Sequence, residues 1–177
     1  MTLPTTLQTT VLIRTPWLTL EEQQVEVNGH MENFHVASRR DSVIAVVVTD
    51  DDRVVLIDEY KYGTKTRVTQ CPGGKIDGSE TPQTAIIREV YEETGFQVTK
   101  LTPLGQWHPD ASWCRDTVYA FGVRVSGSGD PHREATELIE TQLVEWDRAV
   151  EMAENGEIMD PYSVIAILKM DKVRIEP

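Results

Sequence analysis

Residues 73–96 read GGKIDGSETPQTAIIREVYEETGF, and this stretch contains both the start and the stop signals of a helix. Thr81 offers a side-chain cap, and Pro82 follows at the first helical position, where its missing N–H costs little. Gly95 supplies the left-handed residue with which helices commonly end. The stretch therefore predicts a helix over residues 82–94.

Three glutamates, Glu89, Glu92 and Glu93, stand near the end of this helix. Their i, i+3 and i+4 spacing places them on one face, where exposed like charges repel by roughly a few tenths of a kcal/mol each. Ile86 and Val90 provide apolar packing that anchors the helix to the rest of the protein. The acidic face is either a solvated surface or half of an oxygen shell for a divalent cation such as Mg²⁺.

Fixed residues surround the glutamates at a regular spacing. The pattern is a glycine, five residues, a glutamate, seven residues, then Arg-Glu-apolar-any-Glu-Glu-any-Gly-apolar. It resembles the Nudix box, whose fixed positions are filled here by Gly74, Glu80, Arg88, Glu89, Val90, Glu92, Glu93, Gly95 and Phe96. With nine positions matched, the resemblance favours a metal-binding helix over a solvated face.

The resemblance implies a role for each polar residue of the box. The expected metal donors are the three helix glutamates and a backbone carbonyl of one of two glycines: Glu89, Glu93, Glu92, Gly73 and Gly74. Arg88 is expected to act in catalysis by orientation, because its fork can pair with Glu80 or with a ligand carboxylate. A plain surface ion pair is the alternative for Arg88.

Beyond the box, roughly residues 40–170 resemble the ADP-ribose and nucleotide-sugar pyrophosphatase branch of the family. The matching segments are RVVLIDEYKYG at 53–63, QCPGGKIDGSE at 70–80 and EWDRAVEMAENGEIMDPYSVIAILKM at 145–170. This implies hydrolysis of the diphosphate linkage of ADP-ribose or another nucleotide sugar with Mg²⁺ or Mn²⁺, giving a nucleoside monophosphate and a sugar phosphate. A triphosphate-sanitising pyrophosphohydrolase and a nucleotide-sensing module without turnover are the alternatives.

The chain departs from that branch at three places. Lys61 stands where the branch commonly has arginine, and Gln70 stands where it commonly has glutamate. Pro109 lies near the usual proline, but no Ser-Pro-Gly surrounds it. Lys61 keeps the positive charge for substrate binding but loses the bidentate fork of arginine.

Further substrate and catalytic residues are expected in the loops that follow the helix. Arg115 and Trp113 are expected to bind substrate, with a surface role and a packing role, respectively, as alternatives. By the resemblance, the general base lies in PHREATELIE at 131–140, which offers Glu134, Glu137 and Glu140, with Glu137 as the first choice and Glu134 as the second. Acidic residues in a loop are also often merely solvated.

Composition narrows the partners and the location. The net charge of −12 argues against nucleic acid, whose phosphates demand basic patches. No apolar run approaches the roughly 20 residues that a membrane helix needs, and the first residues lack the pattern of a signal peptide. Cys71 and Cys114 are expected to be reduced thiols. We expect a cytoplasmic protein with a small nucleotide-derived substrate and with no nucleic-acid or membrane partner.

The remaining pattern predicts an α+β fold in which strands outnumber helices and do not alternate regularly with them. Asn28-Gly29 predicts a hairpin turn. The expected strands are 25–27, 34–36, 42–48, 53–60, 101–107, 117–125 and 141–146. The expected later helices are 148–155, capped by Asp147, and 161–170, capped by Asp160.

Together with the resemblance, these elements predict a Nudix α/β/α sandwich with a mixed sheet, preceded by a small N-terminal β segment. Residues 1–40 are assigned to the β segment and residues 41–177 to the hydrolase domain. In the branch that the chain resembles, the β segment helps to build a dimer with shared substrate sites. A homodimer in which this segment covers the substrate is therefore expected.

Overall fold

The structure is a computed structural model that describes residues 3–127, 131 and 138–174. The chain divides into two compact units. The first comprises Met1–Asp41 and Trp107–Thr117, and the second comprises Ser42–Gln106 and Val118–Pro177. A boundary drawn at residue 40 alone would assign 107–117 to the second unit. The roles expected for the two domains stay predictions.

The first unit contains a three-stranded antiparallel sheet among its described residues, formed by β1 (Thr5–Arg14), β2 (Thr19–Val27) and β3 (His30–Ser38) in that order. Asn28 and Gly29 join β2 to β3 with φ values of 52° and 81°. Two left-handed residues give the turn whose twist matches paired strands, so the predicted hairpin is confirmed. Strand β1 was not predicted, because its exposed sequence TTLQTTVLIR shows no clear alternation.

Segment 107–117 pairs with the end of β3 within the same unit. The Ala37 N–H donates to the Trp113 carbonyl at 2.7 Å, and the Arg115 N–H donates to the Ala37 carbonyl at 3.0 Å. The Asp116 side chain is 1% exposed, and its Oδ2 lies 2.9 Å from Arg39 Nη2. Because a buried carboxylate is costly unless it is paired, this ion pair fixes the segment on the sheet.

The second unit contains a mixed sheet of seven strands within the described part of the chain. Its strands are β4 (Ser42–Val48), β5 (Arg53–Lys61), β6 (Thr66–Gln70), β7 (Gly73–Lys75), β8 (Gln97–Trp107), β9 (Val118–Ser126) and β10 (Ile139–Glu145). The order is β10-β5-β4-β9-β8, with β6 paired to β5 and β7 paired to β4. The β4–β9 pair is parallel, whereas β4–β5 and β5–β10 are antiparallel, so the predicted mixed sheet is confirmed.

The predicted helices are all present, with differences at two ends. Helix α1 (Pro82–Thr94) has the predicted bounds, and the Thr84 N–H donates to Thr81 Oγ1 at 3.2 Å. Helix α3 (Pro161–Arg174) extends beyond residue 170. Helix α2 (Trp146–Asn155) begins before the predicted position, so the cap assigned to Asp147 was wrong. The short strands β6 and β7 were also not predicted.

The helices cover both faces of the sheet in the second unit. Helix α1 packs over a core to which β9 contributes Phe121 and Val123. Gly122 faces the other way, because side chains alternate along a strand. A methyl group on Gly122 would lie 3.0 Å from Met170 Sδ of α3. The unit is therefore an α/β/α sandwich, and the predicted α+β fold class is confirmed.

Two further features concern the environment of the chain. Among the described residues, no helix is both long enough and apolar enough to cross a membrane. Cys71 and Cys114 are both buried and free of disulfides, as predicted. Burial raises the pKa of the Cys71 thiol to about 12, and the Cys71 N–H donates to Ser163 Oγ at 2.9 Å. Cys71 is therefore a packing residue rather than a nucleophile.

Adjacent isoleucines on α1 test the packing of this helix. Ile86 is 0% exposed and Ile87 is 45% exposed. We expect Ile86→Ala to lower the free energy of unfolding by about 3 kcal/mol, because it leaves a cavity under α1. The matched control Ile87→Ala is expected to cost less than about 1 kcal/mol. Urea denaturation followed by circular dichroism measures both, and equal losses would contradict the assigned faces of α1.

Candidate active site

Two carboxylates of α1 are turned towards the glycines of β7. Glu93 is 3% exposed, and its Oε2 accepts a hydrogen bond of 2.9 Å from the Gly73 N–H. Glu89 is 9% exposed, and a methyl group on Gly74 would lie 2.3 Å from Glu89 Oε1. The structure therefore brings together four of the residues that the sequence predicted as metal donors. The close approach requires glycine at position 74.

Arg88 lies at the centre of an ion-pair network. Its Nε and Nη2 donate to Glu80 Oε1 and Oε2, both at 2.9 Å, and Nη2 also donates to the Lys75 carbonyl at 3.0 Å. Its Nη1 lies 2.9 Å from Glu89 Oε1 and donates to Glu92 Oε2 at 2.9 Å. The predicted pairing of Arg88 with Glu80 and with helix carboxylates is confirmed. Its role in catalysis stays a prediction.

The network shifts the titration of its members. Hydrogen bonds from Arg88, and then from the Asp77 N–H, lower the pKa of Glu80 from 4.5 to about 2. The hydrogen bonds from Arg88 to Glu80 and then to Glu92, together with the charge of Glu89, raise the pKa of Arg88. The Arg88–Glu80 pair is therefore ionised at neutral pH.

The donor chemistry of the site fits a hard divalent cation. Carboxylate oxygens and backbone carbonyls are the ligands that Mg²⁺ and Mn²⁺ prefer. Glu89 and Glu93 lie one helical turn apart on a rigid helix and are held beside the β7 glycines. Within the described residues, no three His, Cys, Asp or Glu side chains are already gathered around one point. The metal-ligand roles of these glutamates therefore stay predictions.

Lys61 is part of a polar cluster that sequence reasoning missed. Its Nζ is paired with Glu59 Oε2, and Gln70 Nε2 donates to the same oxygen at 3.0 Å. Side chains alternate along β5, so Glu59 and Lys61 share the face of Val55, which lies in the core under α1. The i, i+2 spacing of Glu59 and Lys61 could have predicted that these two side chains lie on one face of a strand. Gln70 becomes their neighbour only through the pairing of β6 with β5.

Two other predicted substrate residues belong to the first unit. Arg115 Nη2 lies 3.0 Å from Glu21 Oε2, and its Nη1 donates to Ser38 Oγ at 3.4 Å. Trp113 is 45% exposed, and its side chain thus presents an aromatic surface to solvent. The ion pair with Glu21 accounts for the position of Arg115 on that unit. Substrate binding by both residues stays a prediction.

Glu134 and Glu137, the candidates for the general base, lie outside the described residues. The nearby Glu140 lies in β10 and is exposed, and its Oε1 is 3.2 Å from Arg67 Nη2. Glu140 therefore forms a surface ion pair in this structure. The assignment of the general base stays a prediction.

Comparisons with known proteins identify the family. Residues 38–163 match the NUDIX domain family. An ADP-ribose pyrophosphatase of Bacillus subtilis (strain 168) is 24% identical over 142 residues, covering 79% of this chain and 77% of the relative. The ADP compounds hydrolase NudE of Escherichia coli (strain K12) is 31% identical over 102 residues, covering 56% of this chain and 54% of the relative.

A solved structure also resembles the whole chain. It is a crystal structure of an ADP compounds hydrolase, with a TM-score of 0.84 and 22% sequence identity, and the match covers 96% of this chain and 92% of that chain. At this identity the likeness establishes the fold.

Titration of Glu80 tests the ion-pair network. We expect Arg88→Gln to move the midpoint of Glu80 from about 2 towards its ordinary value of 4.5, because the largest cause of the shift is removed. The lowered pKa means that the stability from this pair is complete above about pH 4.5 and is lost as pH falls towards about 2. Carboxyl carbon NMR shifts measure the midpoint. Arg148→Gln, which breaks a surface pair with Glu151, is the control and is expected to leave Glu80 unchanged.

Proposed function

Because the chain belongs to the NUDIX family and is a Nudix hydrolase, we propose that it cleaves the diphosphate linkage of a nucleoside diphosphate derivative, with ADP-ribose as the foremost substrate. The products are a nucleoside monophosphate and a sugar phosphate. The observation that carries the proposal is the pair of buried carboxylates, Glu89 and Glu93, held beside the β7 glycines. Relatives described as acting on ADP-ribose and ADP compounds support the choice of substrate.

The helix glutamates would hold one or more divalent cations, Mg²⁺ or Mn²⁺, which lower the pKa of a bound water and neutralise charge on the phosphoryl oxygens. The expected donors are Glu89, Glu93, Glu92 and a carbonyl of Gly73 or Gly74. Arg88 restrains the carboxylates of Glu89 and Glu92 before any ligand binds. The Gly73 N–H does the same for Glu93. Such restraint lowers the reorganisation required in the reaction.

The remaining roles complete the proposal. Glu137, or Glu134 in its place, takes the proton from the attacking water as general base. Lys61 contacts the anionic part of the substrate, and its position on the sheet face that carries α1 supports this role. Arg115 and Trp113 are the other proposed substrate-binding residues, with the indole ring of Trp113 available for stacking on a base or sugar.

We also propose that the protein is a homodimer joined through its N-terminal sheet. Large apolar side chains of the first unit are exposed in the isolated chain: Leu3, Leu7, Val11, Leu12, Ile13, Trp17, Met31 and Phe34. Extensive apolar surface of this kind marks interaction sites. A second copy of the chain, as implied by the resemblance to the ADP-ribose branch, would cover it.

A cytoplasmic location forms part of the same proposal. Cys71 and Cys114 are buried and unpaired, as is usual for thiols in a reducing compartment. A nucleotide-derived substrate is also available there.

Assay of a substrate panel tests the proposed activity. We expect hydrolysis of ADP-ribose or another nucleotide sugar, with Mg²⁺ or Mn²⁺, to give a nucleoside monophosphate and a sugar phosphate. Glu93→Gln should lower kcat by about 100-fold and weaken Mn²⁺ binding measured by electron paramagnetic resonance. Glu154→Gln, an exposed glutamate of α2, is the control and should change neither. Hydrolysis of nucleoside triphosphates alone would contradict the assigned substrate class.

Sedimentation equilibrium tests the proposed dimer. We expect the wild-type protein to sediment with twice the mass of one chain. Leu12→Glu should shift it to the monomer, because a charge would enter the apolar interface. Met159→Glu is the matched control, since Met159 is 66% exposed but lies in the second unit. A wild-type monomer at micromolar concentration would rule out this assembly.

A further inference from the structure

Glu59 is a carboxylate that the reaction proposed above does not use. Its side chain is 18% exposed, and its Oε2 accepts hydrogen bonds from Lys61 Nζ and from Gln70 Nε2. Gln70 is itself 7% exposed, so the donor that restrains Glu59 is fixed by its surroundings. A negative charge is therefore held rigidly against the cation that we assign to substrate binding.

The fold places this charge on the sheet face against which α1 packs. Glu59 shares the sheet face of Val55, and this face carries α1. Gln70 precedes Gly73 by three residues, a separation that spans at most about 10 Å of chain. The Gly73 N–H donates to Glu93. Through Gln70, the Glu59 carboxylate is thus linked to the chain segment that leads into β7, the strand that donates a hydrogen bond to α1.

The pairing changes how the site treats anions of different charge. Lys61 alone would attract every phosphate-bearing ligand, and the attraction would grow with the charge of that ligand. Glu59 offsets this attraction and repels a highly charged ligand more than a weakly charged one. A nucleoside triphosphate carries about two more negative charges than a diphosphate with both ends substituted, because its terminal phosphate is free.

We propose that Glu59 is a specificity-determining residue that, held by Gln70 and acting through Lys61, favours doubly substituted diphosphates over nucleoside triphosphates. This inference rests on the proposed function and names the feature that sets its substrate class. Glu59 acts by its charge in this scheme and does not itself contact substrate, because its carboxylate contacts Lys61 and Gln70.

The ratio of kcat/KM for ADP-ribose to kcat/KM for ATP tests the inference. We expect Glu59→Gln to lower this ratio by about three- to tenfold, because the neutral amide no longer repels the additional phosphate. Glu59→Asp keeps the charge and should keep the ratio within about twofold of wild type. A general defect in folding lowers both rates together and leaves the ratio unchanged. Glu59→Ser removes the same charge and replaces Glu59→Gln if that variant does not fold.

Asp58→Asn is the matched control for the loss of one negative charge. Asp58 follows the opposite alternation on β5, and its Oδ1 accepts a hydrogen bond of 2.7 Å from Arg67 Nε. We expect this variant to leave the substrate ratio at the wild-type value. Equal shifts in Asp58→Asn and Glu59→Gln would show an effect of net charge and would overturn the assignment to Glu59.

The outcome for Glu59 can be separated from the outcome for the proposed function. An unchanged ratio in Glu59→Gln, with ADP-ribose still hydrolysed, overturns the role of Glu59 alone. Hydrolysis of triphosphates alone by the wild-type protein overturns the proposed substrate class. In that case Glu59→Gln should still raise kcat/KM for ATP, and the absence of a rise overturns the charge effect as well.

Discussion

The close approach of α1 to the glycines of β7 is the constraint on which the rest of the site depends. A methyl group on Gly73 would lie 2.2 Å from the Val43 carbonyl oxygen, and one on Gly74 would lie 2.3 Å from Glu89 Oε1. Because Gly73 and Gly74 carry no side chains, β7 can pair closely with β4, and the carboxylates of α1 can lie directly against β7. The apolar face of α1 packs over the sheet and maintains this contact.

The close approach of α1 to β7 brings several negatively charged carboxylates together, and Arg88 and the backbone compensate most of this charge. Burying carboxylates is unfavourable unless each receives hydrogen bonds or a countercharge. Arg88 supplies both to Glu80, Glu89 and Glu92, and the Gly73 N–H supplies a hydrogen bond to Glu93. Acidic residues can therefore be concentrated on one helix of a protein with a net charge of −12. The cost of ordering the carboxylates is met during folding rather than during the reaction.

The sequence could predict those features that depend on local chemistry. Thr81-Pro82 and Gly95 set the ends of α1, and the spacing of the box identified Arg88 and its carboxylate partners. Contacts between segments that are distant in the sequence could not be predicted in this way. The Glu59–Gln70 hydrogen bond requires the register of β5 and β6 to be known. The pairing of segment 107–117 with β3 requires a tertiary contact that no local pattern encodes, and it moved the boundary between the two units. Gln70 stands where the related branch commonly has glutamate, and its amide donates a hydrogen bond to Glu59 that a glutamate could not donate when ionised.

The membership of segment 107–117 in the first unit has a consequence for how such a chain can be rearranged. The polypeptide leaves one unit and re-enters it, passing between the units three times along its length. Asp116, buried and paired with Arg39, would lose its countercharge in any fragment that begins after residue 41. Removal of the N-terminal sheet alone would therefore leave a carboxylate without the partner that compensates its burial.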